Sequence, residues 1–135
     1  MAKKYRVKCP KCGEIVNLSG TGPCPKCGQP IDVNTPGSIA LYRMGNMMGS
    51  AAGFGIYVND VPFGHIGNRE HLIFPLPFGD YKMHIACGMN RKCNDPVIHL
   101  TPDDPNVCLK VHMKMGFVSN SFILERVDPS TMPKD

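Results

Sequence analysis

Five consecutive residues, Cys9-Pro10-Lys11-Cys12-Gly13, recur unchanged as Cys24-Pro25-Lys26-Cys27-Gly28, with eleven residues between the inner cysteines. Two residues between paired cysteines let one tight turn aim both sulfurs at a common point, and the following glycine can take the positive φ that closes the turn. Proline presets φ at the start of each turn. Two such knuckles supply four thiolates, the donor set of a tetrahedral structural site. Cys9, Cys12, Cys24 and Cys27 are therefore expected to hold one structural Zn2+ ion. A stretch of about 30 residues buries too little apolar surface to fold without a staple, and the ion supplies it. Disulfides would be the other staple. The opening MAKKYRVKCPKC has no apolar run behind its lysines, and nowhere do about 18 apolar residues run together. A cytoplasmic location without membrane contact is thus expected, and in that reducing setting paired CxxC motifs read as metal ligands.

Around the knuckles the chain offers only short β-prone runs: Tyr5-Arg6-Val7, then Glu14 to Leu18 before a glycine-rich turn, then Ile31-Asp32-Val33. This pattern resembles the zinc-ribbon family of the CPxCG type over residues 5 to about 33. The resemblance implies a metal site and leaves the function open. All four ligand positions are filled, so no coordination position is left for a substrate and catalysis at the ion is not expected. Similar knuckles occur in rubredoxins, where the ion is iron and transfers electrons. Here the spacing is short, and Tyr5 alone could shield a redox centre.

Charge is distributed unevenly. The chain sums to +4, but Lys3, Lys4, Arg6, Lys8, Lys11 and Lys26 against Glu14 give the first 30 residues +5 and leave −1 for the rest. Four thiolates and a divalent ion lower the ribbon to about +3. That permits nucleic-acid binding as an alternative function, although the ribbon lacks aromatic residues that could stack on bases.

Asn34-Thr35-Pro36-Gly37-Ser38 is rich in breakers and marks a boundary. Residues 1–33 are expected to form the ribbon, 34–38 a linker, 39–127 a second module and 128–135 a C-terminal tail. Beyond Ile39, short apolar stretches alternate with turn signals and no helix is indicated. Strands are expected from Ile39 to Met44, Phe54 to Asn59, Val61 to Ile66, His71 to Phe74, Tyr81 to Cys87, Asp95 to Leu100 and Val107 to Met115, and a last one from Phe117 or Phe122 to Arg126. Several show the period of two that buries one face. The fold class is all-β: a small four-cysteine zinc ribbon plus an antiparallel β-sandwich of about seven strands.

Ile56-Tyr57-Val58-Asn59-Asp60-Val61-Pro62-Phe63-Gly64 and Leu76-Pro77-Phe78-Gly79-Asp80-Tyr81-Lys82-Met83-His84-Ile85 carry a second resemblance. They are similar to the "xVYVNGKxVG" and "LPPGxYxIxV" patterns of PEGA-like, transthyretin-like bacterial β-sandwich domains. The chain departs from them at Asp60, where glycine is usual, and at Phe78. The resemblance spans residues 38 to about 127 and implies a non-catalytic interaction module.

No GxSxG, HExxH or glycine-rich phosphate loop occurs. Cys87 falls on a buried strand face. Cys93 sits beside Arg91 and Lys92, two cations that would lower a thiol pKa. His84, His99 and His112 fall on polar strand faces, and with Cys108 they would make a second metal site only if their strands adjoin. Between Gly45 and Gly53 runs a loop that is neither charged nor strongly polar. Met47 and Met48 there, with Met44 at the end of the preceding strand, are candidate contacts for a partner or a second copy of the chain, the alternative being that the loop folds back and plugs the end of its own sandwich. The expected function is that of a non-enzymatic zinc-binding adaptor or assembly protein acting through protein contacts or self-association.

Overall fold

A computed structural model describes residues 4–43, 53–67, 69–87, 92–114 and 121–132. The candidate contacts Met44, Met47 and Met48 lie outside the described residues, as do Arg91 and the expected strand ends Met115 and Phe117.

The chain is all-β. The ribbon contributes β1 (Tyr5–Lys8), β2 (Ile15–Leu18), β3 (Gly22–Pro23) and β4 (Pro30–Ile31). The second module contributes eight strands: β5 (Gly37–Arg43), β6 (Phe54–Val58), β7 (Val61–Ile66), β8 (His71–Leu76), β9 (Gly79–Ala86), β10 (Val97–Leu100), β11 (Asn106–Lys114) and β12 (Ser121–Val127). Among the described residues the one helical turn is a 3-10 turn over Pro129–Thr131, capped by the Asp128 carboxylate, which accepts from Ser130 N–H.

Two sheets face each other, in the orders β12-β11-β5-β8-β1-β2 and β10-β9-β6-β7. Period-two alternation drives them together: Ile39 and Leu41 of β5, Leu109 and Val111 of β11, and Phe122 of β12 meet Phe54, Ile56, Met83 and Ile85 of the opposite sheet in one fully buried core. Phe54 and Phe122 meet edge to face at 4.7 Å between ring centroids. Arg43 belongs to the same inward face of β5 and is fully buried. Its guanidinium lies 3.5 Å from the centre of the Phe54 ring, and Nη1 donates to the Ile66 carbonyl at 3.2 Å. A cation–π contact and a carbonyl thus replace the water it loses.

Two pairings depart from a purely antiparallel sandwich. β5 runs parallel to β11 over six paired residues, from Ser38 beside Asn106 to Arg43 beside Val111. β1 runs parallel to β8, with Tyr5 beside Ile73. Parallel neighbours need a crossover, so these pairings join segments far apart in the chain.

The ribbon hairpin therefore extends the sheet of the sandwich, and β5 begins at Gly37, inside the expected linker 34–38, with Gly37 and Ser38 paired to Leu76 and Pro75. The junction is held by the Ile73 N–H donating to the Lys4 carbonyl at 2.9 Å and by the ion pair of Lys4 with Glu70. Arg6, on the opposite face of β1 from Tyr5, reaches the facing sheet: Nη1 donates to the Phe63 carbonyl at 3.0 Å and the His65 carbonyl at 2.9 Å.

The turn Asn59-Asp60 keeps its geometry without the usual glycine. Both residues take positive φ, 51° and 67°, as a two-residue type I′ hairpin turn requires. Asn59 Oδ1 accepts from Lys82 N–H at 2.8 Å, and the Asp60 carboxylate meets Lys82 Nζ at 2.9 Å. Asn and Asp are the side-chain-bearing residues that tolerate this region best.

Candidate metal centre

The two knuckles are built alike. Cys9 N–H donates to the Glu14 carbonyl at 2.9 Å and Gly13 N–H to the Cys9 carbonyl at 3.0 Å; the second knuckle repeats both bonds, from Cys24 to Gln29 and from Gly28 to Cys24, each at 2.8 Å. Gly13 and Gly28 take φ of 76° and 82°, the left-handed geometry for which glycine is suited. The repeated sequence thus becomes a repeated turn.

These turns bring the four sulfurs together. Cys9 Sγ lies 3.5 Å from Cys27 Sγ, and Cys12 Sγ lies 3.8 Å from Cys24 Sγ. The four cysteines form a group able to hold a metal ion. Edges of this length match a tetrahedron whose sulfurs lie about 2.3 Å from a central ion, which are about 3.8 Å apart. Cys9 and Cys24 are buried among Val7, Val16, Ile31 and Val33, with Tyr5 and Leu18 packed alongside, while Cys12 and Cys27 are exposed.

Backbone dipoles favour charge on the buried sulfurs. Cys12 N–H points at Cys9 Sγ at 3.5 Å and Lys26 N–H at Cys24 Sγ at 3.4 Å. The Cys9 thiol is pulled down to about 6, chiefly by the Cys12 N–H and against the effect of burial. At Cys24 burial pushes upward, yet the N–H groups of Cys27 and Lys26 outweigh it and hold the thiol below its ordinary value. Cys12 shows the opposite balance. The Glu14 N–H pulls it down, but burial and the three neighbouring sulfurs together push it up to about 12. Negative charges gathered this closely call for a cation at their centre.

The three histidines and Cys108 do not converge on one site. His84 lies on β9 and His112 on β11, in different sheets. His99 Nδ1 meets the Asp80 carboxylate at 2.6 Å. Cys108 lies on the outer face of the six-stranded sheet, so it forms no common site with the three histidines. Cys87 is half-buried against the sandwich core, as is Cys93. The Cys93 thiol is pushed up rather than down: burial dominates, and the Asp95 carboxylate adds to it while backbone N–H groups of Asp95 and Ile85 oppose. Burial, which disfavours the thiolate, governs this thiol.

Two arginines escaped the sequence reading, Arg6 and Arg43, both buried. Arg43 was signalled by the alternation of β5, which puts it in register with Ile39 and Leu41. Nothing local marks Arg6.

Register also assembles a surface. Val127, Cys108, Ala40, Ile73, Tyr5 and Leu18 are successive cross-strand partners, forming one half-buried row over all six strands of the larger sheet. Beside this row, Tyr5, Ile73, Ser38 and Asn106, with Val33 to Thr35, line a cleft of about 370 Å3. Among the described cations of the ribbon, Lys4 is paired with Glu70 and Arg6 is buried, which leaves Lys8, Lys11 and Lys26 exposed.

The fold and site define an all-β protein carrying a cluster of four cysteines able to hold a metal ion. Comparison with protein-family models, characterised proteins and solved structures gives no match.

Proposed function

We propose that this chain is a non-enzymatic, zinc-stapled adaptor or assembly protein that works through contacts with a protein partner or with a second copy of itself. The observation that carries the reading is the row Val127, Cys108, Ala40, Ile73, Tyr5 and Leu18. Outward residues of a sheet that faces water are ordinarily polar, and a contiguous apolar strip on such a face is characteristic of an interaction surface. Val127, Cys108, Ala40 and Ile73 lie on the sandwich, and Tyr5 and Leu18, which also pack on the ribbon core, continue the strip, so the ion acts by holding β1 and β2 in line with the other four strands. Zn2+ suits a closed four-thiolate shell that offers no coordination position to a substrate.

The nucleic-acid alternative is weakened by the fate of the ribbon's cations, since two of the five described ones are consumed internally. Elemental analysis should return about one zinc per chain at the cluster. Native mass spectrometry and pull-down with the wild-type chain and with Ala40→Glu test the surface. An oligomer or captured partner that the variant loses, with its thermal midpoint retained, supports the proposal. Absence of both from the wild type, or indifference to Ala40→Glu, removes it. A mobility shift whose log affinity falls with log salt would favour the alternative instead.

A further inference from the structure

β9 directs His84 to the outer face of the smaller sheet, where it pairs with Tyr57 of β6; the two rings lie 5.5 Å apart. The segment Lys92 to Pro96 passes beside it and is clamped along its length. Phe122 N–H donates to the Lys92 carbonyl at 2.7 Å, and Met83 N–H to the Pro96 carbonyl at 3.0 Å. Between them, the Asn94 side chain both accepts from Leu124 N–H and donates to the Leu124 carbonyl, each at 2.9 Å. Asp95 takes φ 46°, in the left-handed region that Asp tolerates.

This clamp delivers three donors of different chemistry to one place. Asp95 Oδ1 lies 2.6 Å from His84 Nδ1, and a ring nitrogen of His84, Cys93 Sγ and an Asp95 carboxylate oxygen all fall within 4.8 Å of one another. We propose that His84, Cys93 and Asp95 form a second metal site, which takes one divalent ion of the zinc class and leaves a coordination position open. Imidazole, thiolate and carboxylate together suit a borderline ion of this kind, whereas Mg2+ and Ca2+ take oxygen donors alone. Ligands about 2.0–2.3 Å from a tetrahedral ion stand about 3.3–3.8 Å apart, so the donors need move little to accept it. On binding, the Cys93 thiol releases its proton to solvent and the ion takes the place of the His84–Asp95 hydrogen bond, with the imidazole coordinating through a ring nitrogen that carries no proton. Lys82, the cation whose charge reaches Asp95, is itself held by Asp60 at 2.9 Å. The site shares no residue with the four-cysteine cluster. It differs from that cluster in being incomplete, and three protein ligands with a free position are the arrangement of exchangeable or reactive metal sites.

The test is equilibrium dialysis of the full chain, its four-cysteine cluster loaded, against Co2+ under reducing conditions, followed by absorption spectroscopy. The wild type should take up one further equivalent and show a charge-transfer band of a single thiolate. Cys93→Ser should abolish that band, and His84→Ala and Asp95→Asn should each weaken uptake at least tenfold, all three keeping the amide spectrum of a folded chain. Cys93→Ser is nearly isosteric, so it reports on the site even where His84→Ala perturbs the sheet. A wild type that takes up no further ion overturns the proposal, and the trio is then a hydrogen-bonded pair beside a half-buried thiol. Uptake that survives Cys93→Ser unchanged overturns it equally, because the ion is then bound elsewhere.

Discussion

Arg6 closes over Gly64: its Nη1 donates to the carbonyls on either side of that glycine, and a Cβ built on Gly64 would stand 2.6 Å from the same nitrogen. The contact spans the two sheets and keys the ribbon hairpin to β7. Burial lowers the pKa of the Arg6 guanidinium, with the Glu70 carboxylate opposing, so the charge sits partly desolvated on backbone carbonyls.

Gly64→Ala should therefore be costly. Its φ of 78° alone is worth about 1–3 kcal/mol to any other residue, and the clash with Arg6 adds to it. Chemical denaturation of Gly64→Ala, Arg6→Met and the double variant would measure the coupling. The double variant is expected to lose less than the sum of the single ones, and strict additivity would show that the two residues are independent.

Removing the metal should be felt beyond the ribbon. Chelation is expected to melt the knuckles around Cys9 and Cys24, and with them β1, whose Lys4 carbonyl and Arg6 side chain hold β8 and β7. Amide spectra should show Ile73 and Gly64 shifting with residues 5–33, while Leu41 and Val111 in the sandwich core stay in place. A perturbation that ends at residue 33 would contradict this coupling.

Phe122 is fully buried and packs edge to face on Phe54. Truncation by Phe122→Ala should cost about 3–5 kcal/mol, read from a denaturant midpoint shift at unchanged slope. A loss below about 1 kcal/mol would mean that the two sheets do not close over this residue.

The exposed pair Arg126 and Asp104, joined by two hydrogen bonds at 2.7 and 2.8 Å, predicts part of the acid response. The Arg126 hydrogen bonds hold the Asp104 carboxyl below the usual carboxylate range, and Asp104 in turn raises the Arg126 guanidinium, which stays charged throughout. A carboxyl depressed in the folded chain stabilises it fully above the unfolded-chain value, and that contribution disappears as pH falls through the folded value. Asp104→Asn should be less stable than the wild type near neutrality and converge with it in acid. Parallel curves for the two proteins would rule out a contribution from this pair.

Much of the secondary structure was legible because sheet burial writes itself into the sequence with a period of two. Ile39 to Met44 anticipates Gly37–Arg43, and Val107 to Met115 anticipates Asn106–Lys114. Strand partners were not legible. The parallel match of β5 with β11 and of Tyr5 with Ile73 leaves no local mark, because either strand would show the same alternation beside any neighbour. The trio His84, Cys93 and Asp95 was hidden for the same reason: its members come from a strand and from a separate loop pinned to β12. Arg91 and Lys92 adjoin Cys93 in sequence, whereas burial, with the Asp95 carboxylate adding to it, makes Cys93 a weaker acid.

The sequence by itself determined the four-cysteine cluster and the all-β class, since a CxxCG knuckle and a period-two strand are each specified by residues within a few positions of one another. Tertiary structure alone decided that the ribbon continues the larger sheet, that Arg6 locks it to β7, and that six half-buried residues from six strands line up into one apolar row. Those relations depend on pairings between residues such as Arg6 and Phe63, which are 57 positions apart, and such pairings exist only once the chain has closed on itself.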